Sequence, residues 1–238
     1  MVRVLVTRPE PGAARTMQRL QDMGFQPILL PLTETVALPI GAEAAPMDAA
    51  AVAITSANAV RHAPKELIAA LAGLPCHAVG NRTEEAARKA GFLSVGEGPG
   101  DATALADAIV AGYSAGTIAY LAGRVRFPAF EQRLTAAGVR VRAIETYDTL
   151  ALDYSDADLL ARLSGRPVEA VLLYSASAAV ATETLIRRPA LRDLFEKTTF
   201  FALSGRIAAA CESIAGSRIE IAPEPQEEAL LELLRAWR

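Results

Sequence analysis

Seven short polar stretches stand in this 238-residue chain where apolar runs stop: Thr7-Arg8, Thr55-Ser56-Ala57-Asn58, Gly80-Asn81-Arg82-Thr83, Gly100-Asp101-Ala102-Thr103, Gly123-Arg124, Ser175-Ala176-Ser177 and Ser204-Gly205-Arg206. Hydroxyls, backbone amides and guanidiniums are donors suited to carboxylates and phosphates, and a helix start adds unpaired N–H groups and partial positive charge. Any one Ser or Thr in such a place reads first as a helix cap. The set, at equivalent places along the chain, points to anion binding.

The other residue types narrow the chemistry. His62 and His77 are the only histidines, one on a predicted helix and one inside a predicted strand, and neither has a Cys, Asp or His at ligand spacing. Cys76 and Cys211 read as small core residues. No GxGxxG follows a strand, no GxxxxGK[ST] is present, and no Ser sits in a GxSxG elbow. Where a phospho-receiver domain would carry carboxylates after its first strand, this chain has Thr7-Arg8. What remains is a cofactor-free site that works through hydrogen bonds.

The elements that must position these residues alternate. Apolar strand patterns lie at 2–6, 26–30, 50–54, 76–79, 93–95, 116–123 and 168–173, with FFAL and IEI near the C-terminus. Helical spacing fills the gaps. One helix opens at Pro11 and closes at Gly24; a second runs from Thr55–Asn58 to about Leu71 with Pro64 inside it. A third is capped by Asn81 or Thr83 and stopped by Gly91, and a fourth starts at Asp101 or Thr103 and ends by Gly112. Two more span 128–137 and the stretch from acidic 153–158 to Gly165. This alternation predicts βαβ units with parallel sheets covered on both faces. In such sheets ligands bind beyond the carboxyl ends of the strands, where the seven stretches fall.

The chain also repeats itself. FQPILLPLTETVAL at 25–38 and VRVRAIETYDTLAL at 139–152 align with Gly24 on Gly138, Leu20 on Leu134, Thr35 on Thr149 and Leu38 on Leu152, a constant offset of 114, with Tyr147 opposite Thr33. In each copy a strand pattern runs through a short polar segment into a second extended piece. AAVAITSAN returns as VEAVLLYSAS, HAVGNRTEEAARKAG as FFALSGRIAAACESI, and VGEGPGDATALADAI as IEIAPEPQEEALLELL. The repeat permits two contiguous halves or swapped domains. Matched linkers near 31–39 and 145–152 favour the swap, with 38–148 inserted into a domain made of 1–36 and 150–238.

Composition sets the outer bounds. With 52% hydrophobic and 21% charged residues the chain is an ordinary globular protein, and no apolar run approaches the ~20 residues that span a bilayer. MVRVLVTRPEPG lacks the apolar core of a signal peptide, so the expected location is cytoplasmic. A net charge of −3 offers no footprint for nucleic acid, and no Lys/Arg run points to a membrane surface. Few aromatics and no exposed apolar stripe predict a monomer.

These pieces match a known family. Through VLVTRPEPGAA, AITSANAV, HAVGNRTEEAARKAGF, LAGRVR with LTAAGVRVRAIETYDT, VLLYSASAA and EALLELL, in that order and spacing, the chain resembles uroporphyrinogen-III synthase over essentially its whole length. The resemblance implies two flavodoxin-like α/β domains with swapped connectivity, joined by a two-strand linker. It implies a cofactor-independent lyase of tetrapyrrole (heme) biosynthesis. In that reaction linear hydroxymethylbilane loses water and closes, in the cleft between the domains, to a macrocycle with ring D inverted. It leaves room for a transient contact with hydroxymethylbilane synthase.

Tyr147 matches the family's linker tyrosine, a proton donor to the leaving hydroxyl; a phenol carries its proton at neutral pH, as a donor must. Thr55, Ser56, Asn58, Gly80, Thr83, Thr103, Ser175 and Ser177 match substrate-binding positions, mostly through backbone amides, and Arg8 and Arg124 become candidate carboxylate partners. The chain departs from the family at Ser204-Gly205-Arg206-Ile207, where a Gly-x-x-Thr turn is usual, and at PEPQEEAL, which brings Glu227 where a Thr is common. Two α/β domains on a two-strand hinge also describe a cytosolic tetrapyrrole- or anion-binding sensor, and the departures describe an inactive synthase paralogue as well.

Overall fold

A computed structural model of the protein describes residues 1–10, 12–96, 98–113, 116–126, 128–211 and 218–238. It divides into two compact units, Met1–Glu34 with Leu150–Arg238, and Thr35–Thr149. The chain therefore leaves the first unit once and returns once.

The first unit holds β1 (Arg3–Val6), α1 (Gly12–Asp22) and β2 (Gln26–Leu29), then α7 (Asp156–Leu163), β9 (Ala170–Leu173), α8 (Ala176–Ile186), α9 (Arg192–Phe195), β10 (Thr199–Ala202), α10 (Gly205–Ala209), β11 (Ile219–Ile221) and α11 (Glu227–Trp237). Its sheet runs β11-β10-β9-β1-β2, with every neighbouring pair parallel. The central strands are apolar on both faces because both faces are covered. Leu5, Val171, Leu173 and Phe200 pack on the side of α7 and α8, and Val4, Val6, Leu172 and Phe201 on the side of α1 and α11. Each such fully buried side chain contributes about 1.5–3 kcal/mol. Pro11, expected to open α1, lies outside the described residues.

The second unit holds β4 (Ala49–Ile54), α2 (Ala57–Arg61), α3 (Lys65–Leu71), β5 (Pro75–Ala78), α4 (Asn81–Ala90), β6 (Ser94–Gly96), α5 (Ala102–Gly112), β7 (Thr117–Gly123) and α6 (Ala129–Ala136). β3 (Thr33–Ala37) and β8 (Arg140–Ala151) enter and leave it, and its sheet runs β3-β8-β7-β4-β5-β6. From β4 to β8 all neighbours are parallel. Val52, Ile54 and Leu121 face α2, α3 and α4, while Ala51, Ala53, Ile118 and Tyr120 face α5 and α6. Both units thus have the parallel sheets that the alternation of elements predicts.

Local details correct several sequence expectations. The helix expected from Thr55–Asn58 to about Leu71 is two helices, because Pro64 cannot donate a helical hydrogen bond and instead precedes the first turn of α3 at φ −59. Consequently His62 caps the C-terminus of α2 instead of sitting inside a helix. α2 is capped by Ser56, whose Oγ accepts from the Asn58 amide, and α4 starts at Gly80 with neither Asn81 nor Thr83 as cap. Asp101, not Thr103, caps α5 and accepts from the Thr103 amide. The polar segment in the second repeat copy does not interrupt its strand, for β8 runs unbroken over twelve residues. α7 turns out at Ser164, a non-glycine residue at φ 56, just before the predicted stop at Gly165, also at positive φ.

The direction in which strands are added reverses at two places. In the first sheet the chain steps from β1 to β2 and returns to the other side of β1 with β9; in the second, β5 and β6 lie on one side of β4, and β7 and β8 on the other. Helices leave a crevice above the carboxyl ends of the strands at such a reversal. Thr7-Arg8 and Tyr174-Ser175 flank the first, Thr55-Ser56 and Arg124 the second.

Candidate active site

At the reversal in the second unit, parallel strands end in polar groups that bond to one another. Thr55 follows β4, and its Oγ1 lies 2.7 Å from the hydroxyl of Tyr120 on the neighbouring β7. Tyr120 is 2% exposed, and burial raises its pKa, so its hydroxyl stays protonated. Ser56 accepts from the Asn58 amide at 3.2 Å and from the Tyr147 hydroxyl at 3.2 Å. Tyr147 on β8 is thereby aimed at the N-terminus of α2, where unpaired amides favour developing negative charge.

Backbone geometry holds that tyrosine. β8 shifts register against β7 between Ala122 and Gly123, which sets Tyr147 opposite Gly123, and the Arg124 amide donates to the Tyr147 carbonyl at 2.8 Å. The ring lies directly over Gly123: a Cβ there would stand 2.6 Å from ring carbon Cζ and 2.9 Å from the hydroxyl. One residue earlier, the buried Thr146 donates to the Ala59 carbonyl at 2.7 Å, tying β8 to α2. Tyr147 also meets the His62 ring, at 5.9 Å between centroids and tilted by 35°. Burial, with the Arg61 charge adding to it, lowers the His62 pKa, so that ring is neutral at pH 7.

A Gly123→Ala chain is expected to fold and to displace the Tyr147 ring. Misplacement of a reacting group by about 1 Å can cost on the order of 100-fold in rate. Turnover is therefore expected to fall about tenfold to 100-fold while the thermal midpoint moves little. A kcat unchanged within twofold would show that the ring need not lie against Gly123.

The remaining predicted residues of this unit surround that center unevenly. Gly80 begins α4, which packs on α2, and the Thr83 side chain is buried in the first turn, its amide donating to the Gly80 carbonyl. Gly98 presses on the same turn so closely that a Cβ would meet the Ala78 carbonyl oxygen, and the Gly100 amide donates to the Val79 carbonyl at 2.7 Å. The chain then passes from Gly100 to the α5 start, where the Thr103 side chain is exposed. Asn58 accepts from Arg61. Arg124, expected to meet a ligand carboxylate, already donates to Asp148 at 3.0 Å and to Glu145 at 3.4 Å, with its side chain 55% exposed. The second acid is shared with Arg126, whose guanidinium holds the Glu145 carboxyl below its ordinary pKa despite some burial.

In the first unit, Ser175 caps α8 by accepting from the Ala178 amide, and Ser177 is exposed in its first turn. Arg8 is engaged inside the unit. Its Nη1 donates to Glu227 at 3.1 Å and to Thr16 at 3.3 Å, and its guanidinium lies 4.2 Å from the Tyr174 ring centroid. Glu227 also accepts from Thr16 and from the Tyr174 hydroxyl and pairs with Arg19. Ile207, at the other departure from the family pattern, is buried in the core.

Sequence reasoning missed Tyr120, Asp148 and the role of Gly123. Gly123-Arg124 was visible as a strand end, but Tyr120 within GTIAYLAG cannot be told from a core aromatic.

Comparison with known proteins decides the family. A family model described as uroporphyrinogen-III synthase HemD matches residues 14–232. The chain belongs to that family. Its members are lyases of tetrapyrrole biosynthesis, and the family assignment carries the synthase function to this chain. The structure is similar to a uroporphyrinogen-III synthetase from Helicobacter pylori 26695 (TM-score 0.65, 19% identity, covering 100% of both chains). It is also similar to a mutant uroporphyrinogen III synthase from the extremely thermophilic bacterium Thermus thermophilus (TM-score 0.60, 19% identity, covering 100% of this chain and 97% of that one). At these identities the likeness establishes the fold. No curated protein matches the chain. Among the described residues no helix is long and apolar enough to cross a membrane.

Proposed function

We propose that this synthase-family chain closes hydroxymethylbilane to uroporphyrinogen III with inversion of ring D, and that Tyr147 is its proton donor. The observation that carries the second part is the Tyr147 hydroxyl, bonded to Ser56 at the α2 N-terminus with its ring seated on Gly123. The substrate's terminal hydroxyl leaves as water on accepting a proton from Tyr147, while the adjacent pyrrole nitrogen supplies the electron pair and becomes an azafulvene cation. The substituted carbon of ring D then attacks that cation to give a spiro intermediate. Fragmentation and reclosure invert the ring, and loss of a proton from ring D restores aromaticity, so that one water is lost overall. Left free, the cation is captured without inversion, so the protein's main task is orientation.

The amides at the starts of α2, α4 and α8, with Thr55, Ser56, Asn58, Gly80, Thr83, Thr103, Ser175 and Ser177 around them, are the proposed carboxylate sites. Arg124 contributes from the rim. Arg8, whose charge is met by Glu227, acts on this reading by shaping the rim. We carry over from the resemblance a substrate cleft between two flavodoxin-like units related by duplication. The strand orders support this, since each unit places its first repeat strand between its second and third. A monomer in the cytoplasm, in passing contact with the enzyme that makes its substrate, completes the proposal.

Consumption of freshly generated hydroxymethylbilane tests it. The rate above spontaneous closure is expected to scale with protein concentration. A rate equal to the spontaneous one, with tetrapyrrole still bound, would instead make the chain a binding module.

A further inference from the structure

We propose that a groove between α2, α3 and α4 is a second binding site, for a macrocyclic tetrapyrrole polycarboxylate of the kind the synthase reaction yields; the proposal rests on the synthase reading above. The groove encloses about 920 Å³ and is lined entirely by residues of the second unit. Its floor is aliphatic, with Val60 and Ile68 nearly buried and Ala86 beside them. Its rim is cationic. Arg61, Lys65, Arg82 and Lys89 line it against a single acid, Glu85, which pairs with Lys89 at 3.7 Å. Among the described residues no acidic side chain meets Lys65 or Arg82. In a chain of net charge −3 this is a local reversal of sign.

An apolar floor inside a ring of cations fits a ligand with an apolar face and a charged edge. A tetrapyrrole macrocycle bearing carboxylates around its periphery has that form: its ring face covers the aliphatic floor while its carboxylates reach α3 and α4 together. The dimensions favour one small molecule over a protein segment. α3 has seven residues and α4 ten, which at 1.5 Å per residue gives walls of roughly 10 and 15 Å, short for a docked helix of several turns. The volume lies within the range of small-molecule sites, about 300–1,000 Å³. The groove follows α4 from Arg82 to Gly91 and meets α2 only at its C-terminal end, Val60 and Arg61, so it is separate from the Ser56 and Gly80 helix starts.

Uroporphyrin III, the fluorescent oxidised macrocycle, serves as the probe in equilibrium dialysis against the full chain. Two bound molecules per chain are expected for the wild type. In a Lys65→Glu/Lys89→Glu double variant, two exposed changes outside the proposed reaction center, one site should remain and the other weaken at least tenfold, with initial-rate turnover of hydroxymethylbilane unchanged. Normal turnover with a single site in the wild type, or equal binding by both proteins, would overturn the groove proposal and leave the synthase reading standing. Absence of turnover and of all binding would overturn both.

Discussion

Tyr147→Phe is expected to lower kcat for hydroxymethylbilane by about 10²- to 10⁴-fold, the usual contribution of a positioned general acid. The substitution keeps the ring over Gly123 and beside His62, and removes only the hydroxyl and its 3.2 Å bond to Ser56. Stability should therefore fall by about 0.5–1.5 kcal/mol at most, the net worth of one hydrogen bond. Substrate affinity should hardly change, because the proposed carboxylate contacts lie elsewhere. Single-turnover kinetics separates these quantities. A Phe variant with wild-type kcat would place the proton donor on another group, with Tyr147 packing the linker strand.

The second large effect concerns stability. Glu227 is 8% exposed and is the shared acceptor for Arg8, Thr16 and Tyr174. Glu227→Gln leaves Arg8 without a counter-charge in a half-buried position. Breaking a buried pair from one side costs about 3–5 kcal/mol, a large part of the 5–15 kcal/mol that holds a domain together. Urea denaturation of the variant is expected to show a midpoint well below the wild type, and replacement of both Arg8 and Glu227 by Met should recover much of the loss. A single Gln change costing under 1 kcal/mol would mean the pair is solvated.

The same group sets the acid limit. Burial pushes the Glu227 carboxyl up, but the Thr16 bond, the Arg8 charge, the Tyr174 bond and the Arg19 charge outweigh it, and its pKa lies below the ordinary value. Between its folded and unfolded pKa values the unfolded chain binds more protons, so stability rises with pH there. The contribution is complete above the unfolded value of about 4.3 and is lost as pH falls through the lower folded value. Wild-type stability is thus expected to drop more steeply below about pH 5 than that of Glu227→Gln, as urea titrations at stepped pH would show.

What could be read from sequence divides along the range of the interactions. Parallel sheets follow from short apolar runs alternating with helical spacing and turn glycines, all signals within about fifteen residues. The strand-end polar stretches follow from the same reading, because a reversal in strand order lies beside Thr7-Arg8 and Thr55-Ser56 wherever the repeat is folded this way. Finer punctuation was partly lost: Pro64 divides a helix that apolar spacing alone would continue, and Ser164 turns at positive φ one residue before the glycine that sequence favours. Invisible from sequence were pairings across long separations. Arg8 reads as a free cation until Glu227, 219 residues away, is found beside it, and Gly123 reads as a strand end until the Tyr147 ring is found over it.

The isomer ratio of the product tests the central claim most directly. Freshly made hydroxymethylbilane is incubated with and without the chain, the products are oxidised, and the type I and type III uroporphyrins are separated. Predominant type III with the chain present, reverting toward type I when Tyr147→Phe replaces it, is the predicted result. Type I alone in both cases would contradict ring-D inversion by this protein.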